Sequence, residues 1–127
     1  MKSLITKLES IRAICKEWHY EASGESFYAQ HLLADRIQDP LLGFVDSIKE
    51  VCFLGNETLP PSVAAGEALA PCEIKCRLYD SLTIAIYQIE ELSQTQIMQG
   101  ELNLLGSISE HLMLSRGLLW RVLEGAE

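Results

Sequence analysis

Four residues of types that bind metal ions stand in two pairs between residues 31 and 50 of the chain. His31 precedes Asp35 by four residues, and Asp46 precedes Glu50 by four. On an α-helix this spacing places both members of a pair on one face within a single turn, where two side chains can bind one ion. Either pair alone is common on a solvated helix surface, so the joint pattern is what favours a metal site.

The two pairs are aligned with each other. Asp35 and Asp46 are eleven residues apart, which is close to three helical turns and separates the pairs by roughly 16 Å along the axis. One ion therefore cannot touch both pairs of the same helix. Two copies of the helix that cross antiparallel near Pro40 and Leu41, with Gly43 allowing close approach, would bring the first pair of one copy to the second pair of the other. The spacing predicts an isologous dimer with two equivalent metal sites at its interface.

The ligand types narrow the choice of metal. Imidazole and carboxylate ligands without a thiolate favour iron, manganese or zinc. Iron bound mainly by carboxylates would form a ferroxidase centre, in which ferrous ions pass electrons to peroxide or oxygen and open coordination positions admit the oxidant. A further imidazole, His19, lies at the end of the preceding helical segment. His31 taken by itself could instead be a partly buried histidine with one hydrogen-bond partner.

Helical periodicity predicts the elements that position these residues. A first helix begins at Ser3 as its cap, and the Ser23-Gly24 pair ends it. A second helix runs from Ser26 to about Leu54, with Gly55-Asn56 as its stop, and carries all four paired residues. Pro40 lies inside this helix and is expected to kink or locally break it, because proline lacks the backbone N–H of the helical ladder.

One long connection, from Gly55 to Pro71, separates the second helix from the third. Pro71 suits the first position of a helix, since its missing N–H costs nothing there; Gly100 is predicted to end this third helix, and a fourth ends near Gly125. Links that are short, long and short predict an all-α four-helix bundle with a long crossover between helices 2 and 3, as a single domain over residues 1–127. The stripes that indicate the first, third and fourth helices are Leu4, Leu8, Ile11, Cys15 and Trp18; Ile74, Leu78, Leu82, Ile86 and Ile89; and Leu105, Ile108, Leu112, Leu119 and Val122.

Composition excludes some classes of function. The chain has 127 residues, 48% of them hydrophobic, and 18 acidic against 10 basic residues give a formal net charge of −8. This balance argues against DNA binding and suits attraction of cations. The absence of a leader-like start and of eighteen consecutive apolar residues predicts a cytoplasmic protein without a membrane span. Cys72 and Cys76 are expected to be buried small hydrophobes, and Glu110-His111 to belong to a solvated face or a pore lining.

The segment between His19 and Glu50 resembles one known family, the Dps mini-ferritins (DNA-binding proteins from starved cells). In that family a histidine followed by an aromatic residue and a Gly-x-x-Phe turn lead into His-x-x-x-Asp and then Asp-x-x-x-Glu on one helix. The residues that carry the resemblance are Glu17, Trp18, His19, Tyr20, Gly24, Phe27, His31, Asp35, Asp46 and Glu50. Tyr20 stands where the family usually has tryptophan, and the basic tail with which some members bind DNA is absent.

The resemblance implies a ferroxidase site shared between subunits, with iron as its metal and zinc or manganese able to take its place. His19, His31 and Asp35 of one subunit would anchor the tighter ion, while Glu50 of the two-fold mate would bridge and Asp46 would complete or orient the site. It also implies a hollow dodecamer that stores ferric mineral, oxidises Fe(II) with hydrogen peroxide or oxygen and protects against oxidative stress. The alternative is a non-catalytic helical bundle that binds a metal or a protein partner.

Overall fold

A computed structural model describes residues 1–53 and 71–124 of the chain, and all its regular elements in these ranges are helices. An all-α architecture of four helices is thereby confirmed for the described residues. The helices are α1 (Lys2–Glu21), α2 (Phe27–Ile48), α3 (Pro71–Ser93) and α4 (Gln99–Glu124), and a π-helical turn (Lys49–Phe53) continues α2. None of the described helices is both long and apolar enough to cross a bilayer.

The ends of α1 and α3 differ from the sequence prediction. Met1, not Ser3, is the N-cap of α1, and no side chain caps that end. The predicted stop at Gly100 is also wrong, because α3 ends at Ser93 and Gly100 lies in the first turn of α4. The Thr95 backbone N–H and hydroxyl both donate to the Leu92 carbonyl, at 3.1 and 2.6 Å. These bonds satisfy one of the carbonyls that a helix end leaves free, so α3 ends without a glycine.

The other predicted boundaries give a mixed result. Gly24 has φ +92°, the left-handed conformation that favours glycine, and it turns the chain between α1 and α2 as predicted. Pro71 is the first residue of α3, also as predicted. The α-helical part of α2 ends at Ile48, earlier than expected, and the predicted stop beyond Leu54 lies outside the described residues. Pro40 does not break α2, which is helical on both sides of it.

The four helices close around one core. α1 packs against α2 and α3, and α4 packs against α3 and α2, so α2 and α3 are diagonally opposite. The short turn at residues 22–26 makes α1 and α2 antiparallel, and contacts between Thr83 and Arg116 and between Tyr79 and Trp120 show that α3 and α4 are antiparallel too. The start of α1 meets the end of α3 around Leu4 and Leu92. α2 therefore ends at one end of the bundle and α3 begins at the other.

The predicted apolar stripes form this core. Every member is buried except Val122, which is partly buried and packs against the rest. On α2 the buried face comprises Ala34, Ile37, Leu41, Val45 and Ile48 together with the polar Gln30. The paired metal-ligand residues do not belong to this face, so α2 holds them outside the core by packing its opposite side.

Truncation of the core should cost much more stability than truncation of the surface. Leu78 is fully buried in α3, whereas Ile84 on the same helix is 45% exposed. Leu78→Ala should lower the free energy of unfolding by about 2–5 kcal/mol, because it removes buried apolar area and leaves a cavity. Ile84→Ala should change it by less than about 0.5 kcal/mol. Urea unfolding followed by circular dichroism measures both, and equal losses would contradict the assigned core.

Candidate metal centre

Two histidines meet face to face where the chain turns from α1 into α2. The rings of His19 and His31 are stacked, with centroids 3.6 Å apart and planes 27° from parallel. Each ring also contacts the backbone of the other residue: Nδ1 of His31 lies 2.8 Å from the carbonyl oxygen of His19, and Nδ1 of His19 lies 3.3 Å from that of His31. His19 is in the last turn of α1, where carbonyls lack a helical partner, so the contact also caps α1.

These contacts determine which ring nitrogens carry protons. A carbonyl oxygen can only accept a hydrogen bond, so Nδ1 of His31 must be the donor to His19. Nδ1 of His19 faces two acceptors, the His31 carbonyl and the Asp35 Oδ1 at 3.0 Å, so it too must carry a proton. In a neutral imidazole the other nitrogen, Nε2, then presents a lone pair. Within the described residues no hydrogen bond uses Nε2 of either ring.

Asp35 lies beside His19, near the start of α2. Its Oδ1 accepts a hydrogen bond from Nε2 of Gln38 at 3.0 Å and lies within ion-pair distance of Nδ1 of His19, also at 3.0 Å. The hydrogen bond of the His19 Nδ1–H goes to the His31 carbonyl instead. Both contacts of Asp35 use Oδ1, so Oδ2 is the oxygen that could bind an ion.

Asp46 and Glu50 lie further along the same helix and do not join this group within one chain. Both are exposed; Asp46 is in α2, and Glu50 is in the π-helical turn. In the part of the chain that the structure describes, no group of three or more His, Cys, Asp or Glu side chains is arranged to hold a metal ion. One copy of the chain places His19 beside His31 and Asp35, while Asp46 and Glu50 lie elsewhere along the helix, as the separation of the two pairs requires.

Aromatic and polar side chains support the histidine pair. Phe27 packs against the His31 ring at 5.3 Å, and Tyr20 lies edge-on to His19 at 5.1 Å. Beneath them Trp18 donates from Nε1 to the buried Gln30, whose amide in turn donates to the Ser26 hydroxyl at 2.7 Å. This chain of bonds joins α1 to the start of α2 and fixes the turn that carries the two imidazoles. Sequence reasoning missed Gln30 and Gln38, since a glutamine on a helix carries no signal of its partner.

One prediction for a single residue is wrong, and the solvated face predicted for Glu110-His111 holds only for Glu110. Glu110 is exposed, whereas His111 is half-buried and its Nε2 lies 2.9 Å from the Ile37 carbonyl of α2, because α4 packs on α2 at this point. Cys76 is exposed rather than buried, since it lies outside the stripe of α3 that faces the core. The Cys72 side chain lies outside the described residues.

Cys15 lies one turn before His19 and is fully buried in the core. Burial raises the pKa of its thiol far above the ordinary value, because the apolar core disfavours the thiolate, and the negative charge of Asp35 raises it further. The thiol is therefore a neutral, packed group beneath the histidine pair. It is not poised as a nucleophile or a metal ligand.

The chain matches no protein-family model, no curated protein and no solved structure.

The two described thiols should differ sharply in reactivity. At pH 8, iodoacetamide should label Cys76 readily and Cys15 only after unfolding, because a raised pKa leaves almost no thiolate and burial excludes the reagent. Peptide mapping by mass spectrometry separates these residues from the other two cysteines. Equal labelling of both thiols in the folded protein would contradict the burial of Cys15 beneath the histidine pair.

Proposed function

We propose that the protein binds and oxidises Fe(II) at sites shared between two copies of the chain, as the resemblance to the Dps mini-ferritins implies. The observation that supports this most is the bonding of His19 and His31. Each ring donates from Nδ1–H to a backbone carbonyl, which leaves the Nε2 lone pair of a neutral ring available to bind a metal ion. Histidines that bind a metal commonly donate their other ring N–H to a carbonyl in this way.

The donor set fits iron better than a softer metal. Two imidazoles and Oδ2 of Asp35 come from one copy, and two carboxylates, Asp46 and Glu50, are proposed to come from its mate. Nitrogen and oxygen donors without a thiolate suit iron, manganese and zinc. The net charge of −8 favours cations over anions at such a site.

The outer surface of α2 supports association with a second copy. Leu32 and Leu42 are 48% and 50% exposed on this helix, and Asp46 is exposed beside them. Large apolar side chains exposed on one helix face favour burial against a partner. In an antiparallel pairing about the middle of α2, the same contact would cover these leucines and bring Asp46 and Glu50 of each copy to the histidine pair of the other.

The proposed reaction balances with hydrogen peroxide as the oxidant. Two ferrous ions lose one electron each, and the peroxide accepts both as its O–O bond breaks to give two hydroxide ions. The residues contribute by holding the two ions close together and leaving coordination positions open for the oxidant. Molecular oxygen is the alternative oxidant, and the ferric product would be stored as mineral within a hollow oligomer, for which we propose twelve subunits.

The arrangement of the helices supports the ferritin-like topology that this function requires. α2 ends and α3 begins at opposite ends of the bundle. A long crossover between α2 and α3 is part of this proposal, and its residues, 54–70, lie outside the described ranges. Seventeen residues can extend over roughly 56 Å, and α2 is only about 33 Å long at the usual rise. The connection is thus long enough.

Loss of the first ligand pair should abolish rapid oxidation without unfolding the helices. The variant His31→Ala/Asp35→Ala removes one imidazole ligand and one carboxylate ligand, and both residues lie outside the core. Its initial rate of ferrous oxidation by hydrogen peroxide, followed by absorbance of the ferric product, should fall by at least about tenfold. Asp39→Ala, an exposed acid on the same helix, is the matched control and should oxidise Fe(II) like the unaltered protein.

Metal analysis separates this function from the non-catalytic alternative. A protein that binds iron or zinc tightly but shows the same slow ferrous oxidation with and without the two substitutions would be a metal-binding bundle, and the ferroxidase proposal would be wrong.

A further inference from the structure

Pro40 lies in α2 between the two ligand pairs, five residues after Asp35 and six before Asp46. Proline has no N–H to donate to the carbonyl four residues earlier, which is that of Arg36, and its ring crowds that carbonyl. This is where a helix bends most readily. A bend here would change the distance and the relative rotation of the two pairs, while each pair alone stayed intact.

His111 of α4 makes a hydrogen bond to α2 close to Pro40. Its Nε2 donates to the Ile37 carbonyl at 2.9 Å, one residue from the carbonyl that loses its donor. The His111 ring is also 5.9 Å from that of Phe44, which follows Pro40 by four residues. The imidazole therefore contacts α2 on both sides of the proline. A carbonyl oxygen has two lone pairs, so Ile37 can accept this bond in addition to any bond within the helix.

We propose that His111 is a positioning residue for the metal site: through its bond to Ile37 it holds α2 at Pro40 in the geometry that both ligand pairs need. This inference rests on the proposed function. A small bend at Pro40 would displace the ligands considerably. The ligand residues lie about 8 Å from Pro40 along the helix axis, so a 10° change of direction there would move them by roughly 1.4 Å. Metal–ligand distances tolerate errors of only about 0.2 Å.

A structural role alone would have a different signature. If His111 merely packs α4 against α2, its replacement should lower stability and leave the affinity of the folded protein for metal unchanged. If it positions the ligands, the folded variant should bind metal more weakly, and the loss should depend on Pro40. Binding of Co²⁺, a spectroscopic probe for imidazole and carboxylate sites, reports ligand geometry independently of iron oxidation.

The test compares His111→Leu, which cannot donate, with His111→Gln, which keeps an N–H donor. We expect His111→Leu to weaken Co²⁺ binding by about tenfold or more and to shift the visible absorption bands of the bound ion. His111→Gln should restore affinity to within about threefold of the unaltered protein, as its amide can donate to the same carbonyl. Glu110→Ala, at the exposed neighbouring position, is the control and should bind like the unaltered protein.

Combination with Pro40→Ala tests the dependence on proline. An alanine supplies the missing N–H, so His111→Leu should cost clearly less affinity in the Pro40→Ala background than in the unaltered one. Circular dichroism verifies that each variant is folded; if His111→Leu alone does not fold, the comparison is made between His111→Gln and the Pro40→Ala/His111→Leu variant.

Two results would overturn the inference while leaving the proposed function intact. In the first, the unaltered protein binds Co²⁺ and oxidises Fe(II), and the His111→Leu variant binds Co²⁺ equally well. In the second, His111→Leu lowers the affinity for Co²⁺ by the same factor with Pro40 and with Pro40→Ala. If the unaltered protein neither binds Co²⁺ nor oxidises Fe(II), the proposed function fails, and the positioning role fails with it.

Discussion

The candidate site depends on the pair of hydrogen bonds that His19 and His31 exchange across the turn between α1 and α2. Each imidazole is tied through Nδ1 to a backbone carbonyl, and the rings stack at 3.6 Å. Because carbonyls only accept, the bonds select the same tautomer for both neutral rings, and that tautomer leaves each Nε2 with a lone pair that could bind a metal ion. The Trp18–Gln30 bond and the left-handed Gly24 hold the turn in which this exchange is possible.

α2, which follows the turn, also carries the other proposed ligands, Asp46 and Glu50, and places them too far from the histidine pair to bind the same ion. α2 buries Ala34, Ile37 and Leu41 in the core and leaves Asp46 exposed, about three turns beyond Asp35. A rigid helix cannot fold its own second pair back onto its first, so the proposed site would need a second copy of the chain. Metal binding and self-association would then be coupled, since each ion would hold two subunits together.

Sequence periodicity was sufficient for the four helices and their buried faces, because burial repeats with the helical period. The choice of ligand residues stays a prediction. The stripe through Leu78 and Leu82 is buried as predicted, and the structure places His19 beside both His31 and Asp35. Tautomers could not be predicted, since they depend on where the carbonyls of a helix end lie. The bond between His111 and Ile37 joins residues 74 positions apart, and a helical pattern contains no information about such a contact.

Mixing two defective variants tests the shared site most directly. The variant His31→Ala/Asp35→Ala lacks one half of each site, and Asp46→Ala/Glu50→Ala lacks the other. If sites are shared, equal co-expression should give mixed oligomers with about one-quarter of the unaltered rate of ferrous oxidation. Half of the randomly formed two-fold pairs contain one copy of each variant, and in each of these mixed pairs one of the two sites is intact. Each variant alone should be inactive. Mixed oligomers, verified by native mass spectrometry, that remain inactive would contradict a site built from two chains.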